Sequence, residues 1–222
     1  MKAKHKHTFF IFAILATNTH LLLGFVLLQM SGYYFAYIPS HSMFPALSRG
    51  DIVFMEPLRQ VQREDIVTFR VEGPESQLLI KRVVGLPGDT IWADQGRVTL
   101  NSFLLMDCRV DREEDICHSA YAKLFDSYWA WEVLLTKSRE CSAYVVIPFK
   151  GMEKHLEAYQ REFYVQIMPD SVDWEEREAE HDYYFLMGDF RSNSVDSRYW
   201  GFLADEQLER KMRCLVWTSE SI

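Results

Sequence analysis

Short apolar segments, separated by glycine, proline or charged turns, recur along the chain from residue 51 onwards. They are rich in β-branched and aromatic residues, which is typical of β-strands. The pattern therefore predicts a mainly β fold, an antiparallel β-rich domain. The predicted strands are Asp51–Glu56, Asp65–Val71, Leu78–Val84, Thr90–Ala93, Arg97–Leu105, Ala143–Phe149, Phe163–Ile167, Tyr183–Met187 and Arg213–Trp217.

A different period appears in the middle of the chain. Met152, Leu156, Tyr159 and Phe163 recur at helical spacing, which predicts a short amphipathic helix, and residues 118–135 are compatible with another. We therefore interpret residues 106–182 as a partly helical insertion in the β domain.

The N-terminus has the pattern of a membrane segment. Residues 1–8 are basic, and residues 9–30 are largely apolar and long enough for one transmembrane helix. Lysines before the span and few after it predict a cytoplasmic N-terminus and an extracytoplasmic domain over residues 31–222. The alternative is a removable signal peptide with an apolar core at 9–16, although no small-x-small cleavage site follows it. The aromatic run Tyr33–Tyr37 fits a membrane interface or a first strand equally well.

Composition narrows the function classes. With 222 residues, the chain suits one anchor and one moderate domain, and its net charge of −8 argues against nucleic acid as a partner. No Cys-x-x-Cys or His-Glu-x-x-His pattern occurs, so we expect neither a metal site nor a cofactor. Cys108 and Cys117 could close a short disulfide loop in an oxidising compartment, which the sequence leaves open. Cys141 and Cys214 are expected to be buried thiols.

Two residues in this pattern suggest nucleophilic chemistry. Ser42 lies in Ile-Pro-Ser-His-Ser-Met-Phe-Pro-Ala-Leu (38–47), and Lys81 follows thirty-nine residues later inside an apolar strand. A serine hydroxyl needs a base to take its proton, and a lysine can be that base only when it is neutral. Burial lowers the pKa of a lysine by up to about 3–5 units. His41 is adjacent to the serine, but neighbouring side chains of an extended loop point apart.

Three ordered motifs resemble those of bacterial type I signal peptidases. They are the run around Ser42, the run Lys-Arg-Val-Val-Gly-Leu-Pro-Gly-Asp from Lys81, and Gly-Asp-Phe-Arg-Ser-Asn-Ser-Val-Asp-Ser-Arg from Gly188. The family pattern has threonine at the position of Ala46 and asparagine at that of Phe190. The matched motifs and their flanks cover roughly residues 36–100 and 183–203.

This resemblance implies roles for four serine and lysine side chains. Ser42 would be the nucleophile and Lys81 the general base. The Ser40 hydroxyl and the Ser42 backbone N–H would stabilise the oxyanion, and the Ser194 hydroxyl would orient the Lys81 amine. Residues that would brace the loop carrying Ser194 by ion pairing are Asp189, Asp196 and Arg198.

The resemblance also implies a function. The expected protein is a single-pass serine endopeptidase of the bacterial inner (plasma) membrane, with its catalytic domain on the periplasmic or outer face. Its partners would be membrane lipid and the signal peptides of exported preproteins, which it would remove after small residues. Two alternatives stay open: a specialised maturation peptidase of a conjugative pilus or secretion system, and a catalytically dead scaffold that binds signal peptides. An autoproteolytic repressor would need a DNA-binding domain before the serine, where this sequence predicts an anchor.

Overall fold

A computed structural model of the chain describes residues 31–70, 78–95, 97–101, 103–107, 134, 137, 143–152, 157–167 and 179–219. These residues form eleven strands and two α-helices, so the prediction of a mainly β domain is confirmed. The strands are β1 (Tyr34–Tyr37), β2 (Ile52–Pro57), β3 (Ile66–Arg70), β4 (Leu78–Gly85), β5 (Thr90–Asp94), β6 (Arg97–Leu100), β7 (Phe103–Asp107), β8 (Ala143–Val146), β9 (Tyr183–Met187), β10 (Leu203–Ala204) and β11 (Leu208–Trp217). The helices are α1 (Ala158–Ile167) and α2 (Ser197–Trp200).

Seven strands form one sheet in the order β1-β2-β11-β3-β4-β9-β10. Adjacent strands in this sheet are antiparallel. Strand β4 lies between β3 and β9, with Lys81 opposite Val67 and Arg82 opposite both Ile66 and Met187. The strand that carries Lys81 is therefore held on both sides by backbone hydrogen bonds.

A second, four-stranded sheet has the order β7-β6-β5-β8. Here the prediction of one strand over Arg97–Leu105 is wrong, because the segment is the hairpin of β6 and β7. Leu100 pairs with Phe103, which leaves a two-residue turn, and Asn101 in that turn has a φ of 44°. Asparagine tolerates this left-handed conformation because its short polar side chain can hydrogen-bond locally.

Helix α1 corrects a second prediction. Phe163–Ile167 is helical rather than a strand, so the helical spacing of Tyr159 and Phe163 was the correct pattern. Phe163 and Tyr164 are fully buried, and the Tyr164 hydroxyl donates to the Val146 carbonyl at 2.5 Å. Packing of α1 on the second sheet thus outweighs the strand preference of its aromatic residues. The predicted helix over residues 118–135 and most of the 106–182 insertion fall outside the described residues, so the shape of the insertion stays a prediction.

The buried side chains form three clusters. The largest fills the space between the second sheet, α1 and β9. Another packs on β3, β4 and β9 and includes Val67, Val83 and Leu186. The third contains Met43 and Leu47 from the loop between β1 and β2, with Ile80 of β4 packed against it. Because β1 and β4 are four positions apart in the sheet order, this shared cluster requires the sheet to curl around the loop.

Strand β1 contains most of the aromatic run Tyr33–Tyr37, for which the sequence allows two interpretations. Tyr34–Tyr37 pairs with β2, as a first strand should, although Phe35 and Tyr37 remain exposed. Cys214 was expected to be buried and is instead an exposed free thiol, because residues 213–217 at the end of β11 are exposed on both faces of the strand. The other three cysteines lie outside the described residues.

The predicted cytoplasmic tail and transmembrane anchor, residues 1–30, also lie outside the described residues. Within the part that the structure describes, no helix is both long and apolar enough to span a bilayer.

Candidate active site

The loop between β1 and β2 carries Ser42. Two of its apolar residues, Met43 and Leu47, are buried and fix the loop to the third cluster. Backbone hydrogen bonds close the turn, from Phe44 N to His41 O at 2.9 Å and from Leu47 N to Met43 O at 2.8 Å. The buried Met43 and Leu47 flank the exposed Phe44 and Ala46, and Ser42, directly before Met43, keeps 9% of its surface exposed.

A second anchor holds the far end of the same loop. The Asp51 carboxylate accepts from Ser48 N at 2.8 Å and from Ser219 N at 2.9 Å. Ile38 N donates to Asp51 O, and Gly50 N donates to Ile38 O, so both ends of the loop are joined. These hydrogen bonds therefore hold both ends of the loop in a fixed position.

The structure brings Ser42 and Lys81 together. Lys81 Nζ donates to Ser42 Oγ at 2.6 Å, within the range of a direct hydrogen bond. The Lys81 side chain comes from the middle of β4, and only 5% of the residue is exposed. The contact has the geometry that a general base needs beside its nucleophile.

Burial changes the acidity of this lysine. Removal from water lowers the pKa of Lys81 from 10.5 to about 8, while the nearby Asp196 carboxylate raises it and the Arg198 guanidinium lowers it. Asp189 also raises this pKa. Burial is the largest of these effects, so about one Lys81 in ten is neutral near pH 7, against roughly one in a thousand for an unperturbed lysine.

Ser40 lies next to Ser42. Its Oγ is 3.3 Å from Ser42 Oγ, and the Ser40 side chain is exposed on the solvent side of the loop. A hydroxyl in this position can donate to an oxygen that develops beside Ser42. His41, in contrast, is an exposed loop residue, and the basic side chain that hydrogen-bonds to Ser42 Oγ is that of Lys81.

Ser194 is buried near the site but does not make the expected contact. Its Oγ has no hydrogen-bond partner among the described residues, so the predicted bond to the Lys81 amine is not formed. The hydroxyl instead lies beside Gly188, where an added Cβ would overlap Ser194 Oγ and lie 2.5 Å from Ser42 O. Glycine at 188 is thus required for the close approach of three segments.

The turn after β9 docks directly on the serine loop. Phe190 N donates to Ser42 O at 3.1 Å, and Gly188 N donates to Asp196 Oδ2 at 3.0 Å. The carbonyl of Ser42 is therefore fixed by the third motif of the sequence, while its hydroxyl contacts the second.

A buried ion pair supports the loop around Ser194. Asp196 and Arg198 pair through two oxygens, at 2.8 and 3.0 Å, and their side chains are 0% and 1% exposed. Arg198 also donates to the carbonyls of Arg191, at 2.6 Å, and Ser194, at 3.3 Å. This is the bracing by ion pairing that the sequence predicted for these two residues.

The second expected brace, Asp189, pairs with a residue that the sequence analysis did not single out. Arg82 makes two hydrogen bonds to its carboxylate, at 2.8 and 2.6 Å, and so ties β4 to the turn that carries Phe190. Arg82 directly follows Lys81, so strand alternation places its side chain on the opposite face of β4. This position is the signal in the sequence that could have identified Arg82.

No cluster of three or more His, Cys, Asp or Glu side chains that could hold a metal ion occurs among the described residues. The described groups at the site are the Ser42 hydroxyl, the partly neutral Lys81 amine, the Ser40 hydroxyl and backbone amides.

Comparisons with known proteins identify the class to which this fold and site belong. The profile of the family described as "Signal peptidase, peptidase S26" matches residues 7–217. The chain therefore belongs to the signal peptidase family, peptidase S26. The chemistry of this family is that of a serine peptidase.

Two relatives illustrate the extent of the likeness. The signal peptidase I of Buchnera aphidicola subsp. Schizaphis graminum is 32% identical over 82% of this chain and 67% of its own. The signal peptidase I of Pseudomonas aeruginosa is 31% identical over 73% of this chain and 54% of its own. The chain thus spans about two thirds of the first relative and about half of the second.

A solved structure is also similar at a lower level. The crystal structure of a signal peptidase I from Enterococcus faecalis V583 is 21% identical, covers 68% of this chain and 95% of its own, and gives a TM-score of 0.29. A TM-score of 0.29 is too low to support a comparison of the two folds.

Proposed function

We propose that this chain is a membrane-anchored serine endopeptidase that removes N-terminal signal peptides from exported preproteins. Ser42 is the nucleophile and Lys81 is the general base in this proposal. The observation that carries it is the 2.6 Å contact between Lys81 Nζ and Ser42 Oγ, made by a lysine whose pKa burial lowers to about 8. The family membership and the relatives named signal peptidase I support the choice of substrate.

The first chemical step joins the serine to the substrate. Neutral Lys81 takes the Ser42 hydroxyl proton while Oγ attacks the carbonyl carbon of the scissile bond. The Ser40 hydroxyl and the Ser42 backbone N–H donate to the resulting oxyanion, and each such donor contributes about 2.7–4 kcal/mol. The charged Lys81 then gives its proton to the departing amine, which leaves an ester on Ser42.

The second step restores the enzyme. Neutral Lys81 now takes a proton from water, and the hydroxide attacks the ester carbon. Collapse of this second intermediate returns the proton from Lys81 to Ser42 Oγ and releases the signal peptide with a free carboxylate. The lysine is thus base and acid once in each half of the reaction.

The Ser194 hydroxyl belongs to this proposal as a positioning group for the Lys81 amine. Its lack of a hydrogen-bond partner among the described residues supports the role, because a buried hydroxyl costs about 1–3 kcal/mol when its bond is unmade. A rotation of the Ser194 side chain when substrate binds would let its hydroxyl hydrogen-bond to the Lys81 amine.

Membrane attachment through residues 9–30 is the proposed location, at the bacterial inner (plasma) membrane with the domain on the periplasmic or outer side. An exposed aromatic surface on β1, β2 and β11 supports it. Tyr37 and Trp217 flank Ile52 across three adjacent strands, and Phe35 packs on Phe54 with ring centroids 5.1 Å apart. Tyr37 and Trp217 are 61% and 54% exposed. Aromatic side chains favour the boundary between lipid and water.

Cleavage of a preprotein by the full-length protein in membranes tests this proposal. The wild-type chain should release a mature protein with a new N-terminus after a small residue, whereas Ser42→Ala should show no cleavage above background. The matched control is Ser48→Ala, in the same loop but on the Asp51 side. Equal cleavage by the wild type and Ser42→Ala would contradict the proposal. Absence of cleavage with retained binding of signal peptide would instead favour the scaffold.

The range of substrates separates a general signal peptidase from a specialised maturation peptidase. The general enzyme should cut several unrelated preproteins that share only small residues before the cut. Cleavage of a single pilus or secretion-system precursor, with none of the others cut, would favour the specialised role.

A further inference from the structure

Strand β11 leads the chain back to the loop between β1 and β2. Its last pair joins Trp217 to Ile52, the first residue of β2, and the loop ends directly before Ile52. Two residues beyond Trp217, the Ser219 backbone N–H donates to Asp51 Oδ1 at 2.9 Å. The Ser219 hydroxyl donates to the carbonyl of Arg49 at 2.7 Å. We call these two hydrogen bonds the Ser219 clamp.

The loop is shaped to receive Ser219. Gly50 lies between the two residues that the clamp binds, and its φ of 100° is a backbone conformation that favours glycine. A Cβ at Gly50 would lie 2.8 Å from Ser219 Cβ, which is closer than side-chain atoms approach each other. A larger residue at position 50 would therefore push the loop away from Ser219.

Asp51 extends the constraint towards both sides of Ser42. Its carboxylate is buried, and Oδ2 accepts from Ser48 N at 2.8 Å. Its carbonyl accepts from Ile38 N at 2.9 Å. Because Ser42 lies between residues 38 and 48, both segments that lead to it are bound to Asp51. The clamp that holds Asp51 therefore restrains the part of the loop that carries the serine.

The position of this loop matters for proton transfer. Ser42 Oγ and Lys81 Nζ are 2.6 Å apart, and they come from separate segments of the chain. Lys81 is fixed by strand β4, which pairs on both sides within the sheet, whereas Ser42 depends on the contacts of its loop. A displacement of about 1 Å, caused by a change far from the reacting atoms, can lower the rate of catalysis about a hundredfold.

From these contacts we propose that Ser219 is a positioning residue for the reaction, which fixes Asp51 and, through it, the place where Ser42 meets its base. The inference rests on the proposed peptidase function and gives the residues after β11 a part in it. Because Ser219 acts through the loop, loss of the clamp should slow the chemical step and leave substrate binding nearly unchanged.

Single-turnover cleavage of a preprotein tests this role, with the full-length protein in detergent micelles and in excess over the substrate. The rate constant at saturating enzyme reports the chemical step. Ser219→Pro removes both donors of the clamp, because proline has no N–H, and should lower this rate constant about tenfold. Ser219→Ala keeps the backbone donor and should lower it about threefold, as the loss of one hydrogen bond predicts.

The enzyme concentration that gives half of the saturating rate separates misplacement of Ser42 from loss of folding. It should change by less than about twofold in both Ser219 variants, because substrate binding is retained. An inactive, unfolded fraction would instead raise this concentration and leave the saturating rate constant in place. The matched control is Ser221→Pro, two residues beyond the clamp, which should change neither quantity. If Ser219→Pro does not fold, Ser219→Ala decides.

Three outcomes would overturn the inference while leaving the peptidase function intact. They are an unchanged saturating rate constant in both Ser219 variants, an effect confined to the half-saturating concentration, and an equal loss of rate in Ser221→Pro. Failure of the wild type to cleave the preprotein, or equal cleavage by Ser42→Ala, would overturn the peptidase function itself and this inference with it.

Discussion

The two faces of β4 give adjacent basic residues opposite environments. On one face, Lys81 is 5% exposed and its amine donates to a neutral hydroxyl. On the other face, Arg82 makes two hydrogen bonds to the Asp189 carboxylate. Burial lowers the pKa of Lys81 to about 8, whereas hydrogen bonding to Asp189 raises the pKa of Arg82 against the effect of its own burial.

This difference shows how a strand can hold the proposed base, Lys81, directly beside Arg82, which ties β4 to the turn after β9. Strand alternation separates the two side chains, so the carboxylate that fixes Arg82 makes no hydrogen bond to Lys81. The lysine loses water without gaining a carboxylate partner, which keeps part of it neutral near neutral pH. Both groups then act on Ser42, Lys81 on its hydroxyl and Asp189 on its carbonyl through the turn at Phe190.

The largest expected effect comes from exchanging the two cations. Lys81→Arg should lower kcat by at least about a thousandfold, because a guanidinium stays charged and cannot take the serine proton. Arg82→Lys keeps a positive charge beside Asp189 and should lose far less. Initial rates on a preprotein measure both. An active Lys81→Arg enzyme would mean that another group, first of all His41, is the base.

Stability should respond to the two positions with opposite sign. At pH 7, Lys81→Met removes a charge that is costly to bury and should raise the free energy of unfolding by about 1–3 kcal/mol, after the loss of its hydrogen bond. Arg82→Met leaves the Asp189 carboxylate without its partner and should lower it by about 1–3 kcal/mol. Denaturant unfolding of both variants in the same detergent measures the difference.

The Lys81→Met gain also has a defined pH window. Below pH 8, Lys81 is protonated in both the folded and the unfolded protein, so the cost of burying its charge is fully present. Between pH 8 and the unfolded value of 10.5, the folded protein releases this proton first, and the cost disappears. A stability gain from Lys81→Met that persists unchanged at pH 10.5 would show that charge burial is not its cause.

A smaller effect on the pH profile is expected from Asp189, whose charge acts on Lys81 although it is bound to Arg82 on the opposite face of β4. The Asp189 carboxylate raises the pKa of Lys81, so Asp189→Asn should shift the rise of activity to lower pH while destabilising the fold. Glu64→Gln is the control, because Glu64 lies 3.7 Å from the same Arg82 guanidinium but is 62% exposed. It should change stability by less than about 0.5 kcal/mol and leave the pH profile in place. A shift to higher pH in Asp189→Asn would contradict this account of the Lys81 environment.

Three elements show which parts of the fold can be predicted from the sequence. Tyr183–Met187 is predicted with its observed bounds because five consecutive apolar residues, all buried, fit only a central strand. The hairpin at Asn101 is missed because one continuous strand over Arg97–Leu105 ignores the two polar residues, Asn101 and Ser102, that interrupt the apolar pattern. Asn101 has the positive φ of the turn. Phe163–Ile167 is misassigned because aromatic residues favour strands locally, while packing of α1 decides its structure.

The residues of the candidate site also differ in how far the sequence predicts them. Motif spacing identifies Ser42 and Lys81, and their contact follows from a loop and a strand that each have strong local patterns. The state of Ser194 does not follow from its motif, because it depends on the space around Gly188 between three segments. The exposed position of Cys214 likewise depends on which face of β11 is covered, which no single-strand pattern contains.

The pH dependence of kcat/KM tests the central claim most directly, because it reports the ionisation of the free enzyme. With a preprotein whose own groups do not titrate in this range, the rate should rise about tenfold per pH unit below pH 7 and level off above about pH 8, where Lys81 becomes neutral. His41→Asn should give the same profile. A break near 10.5, or any break that His41→Asn abolishes, would contradict the assignment of a buried, partly neutral Lys81 as the base for Ser42.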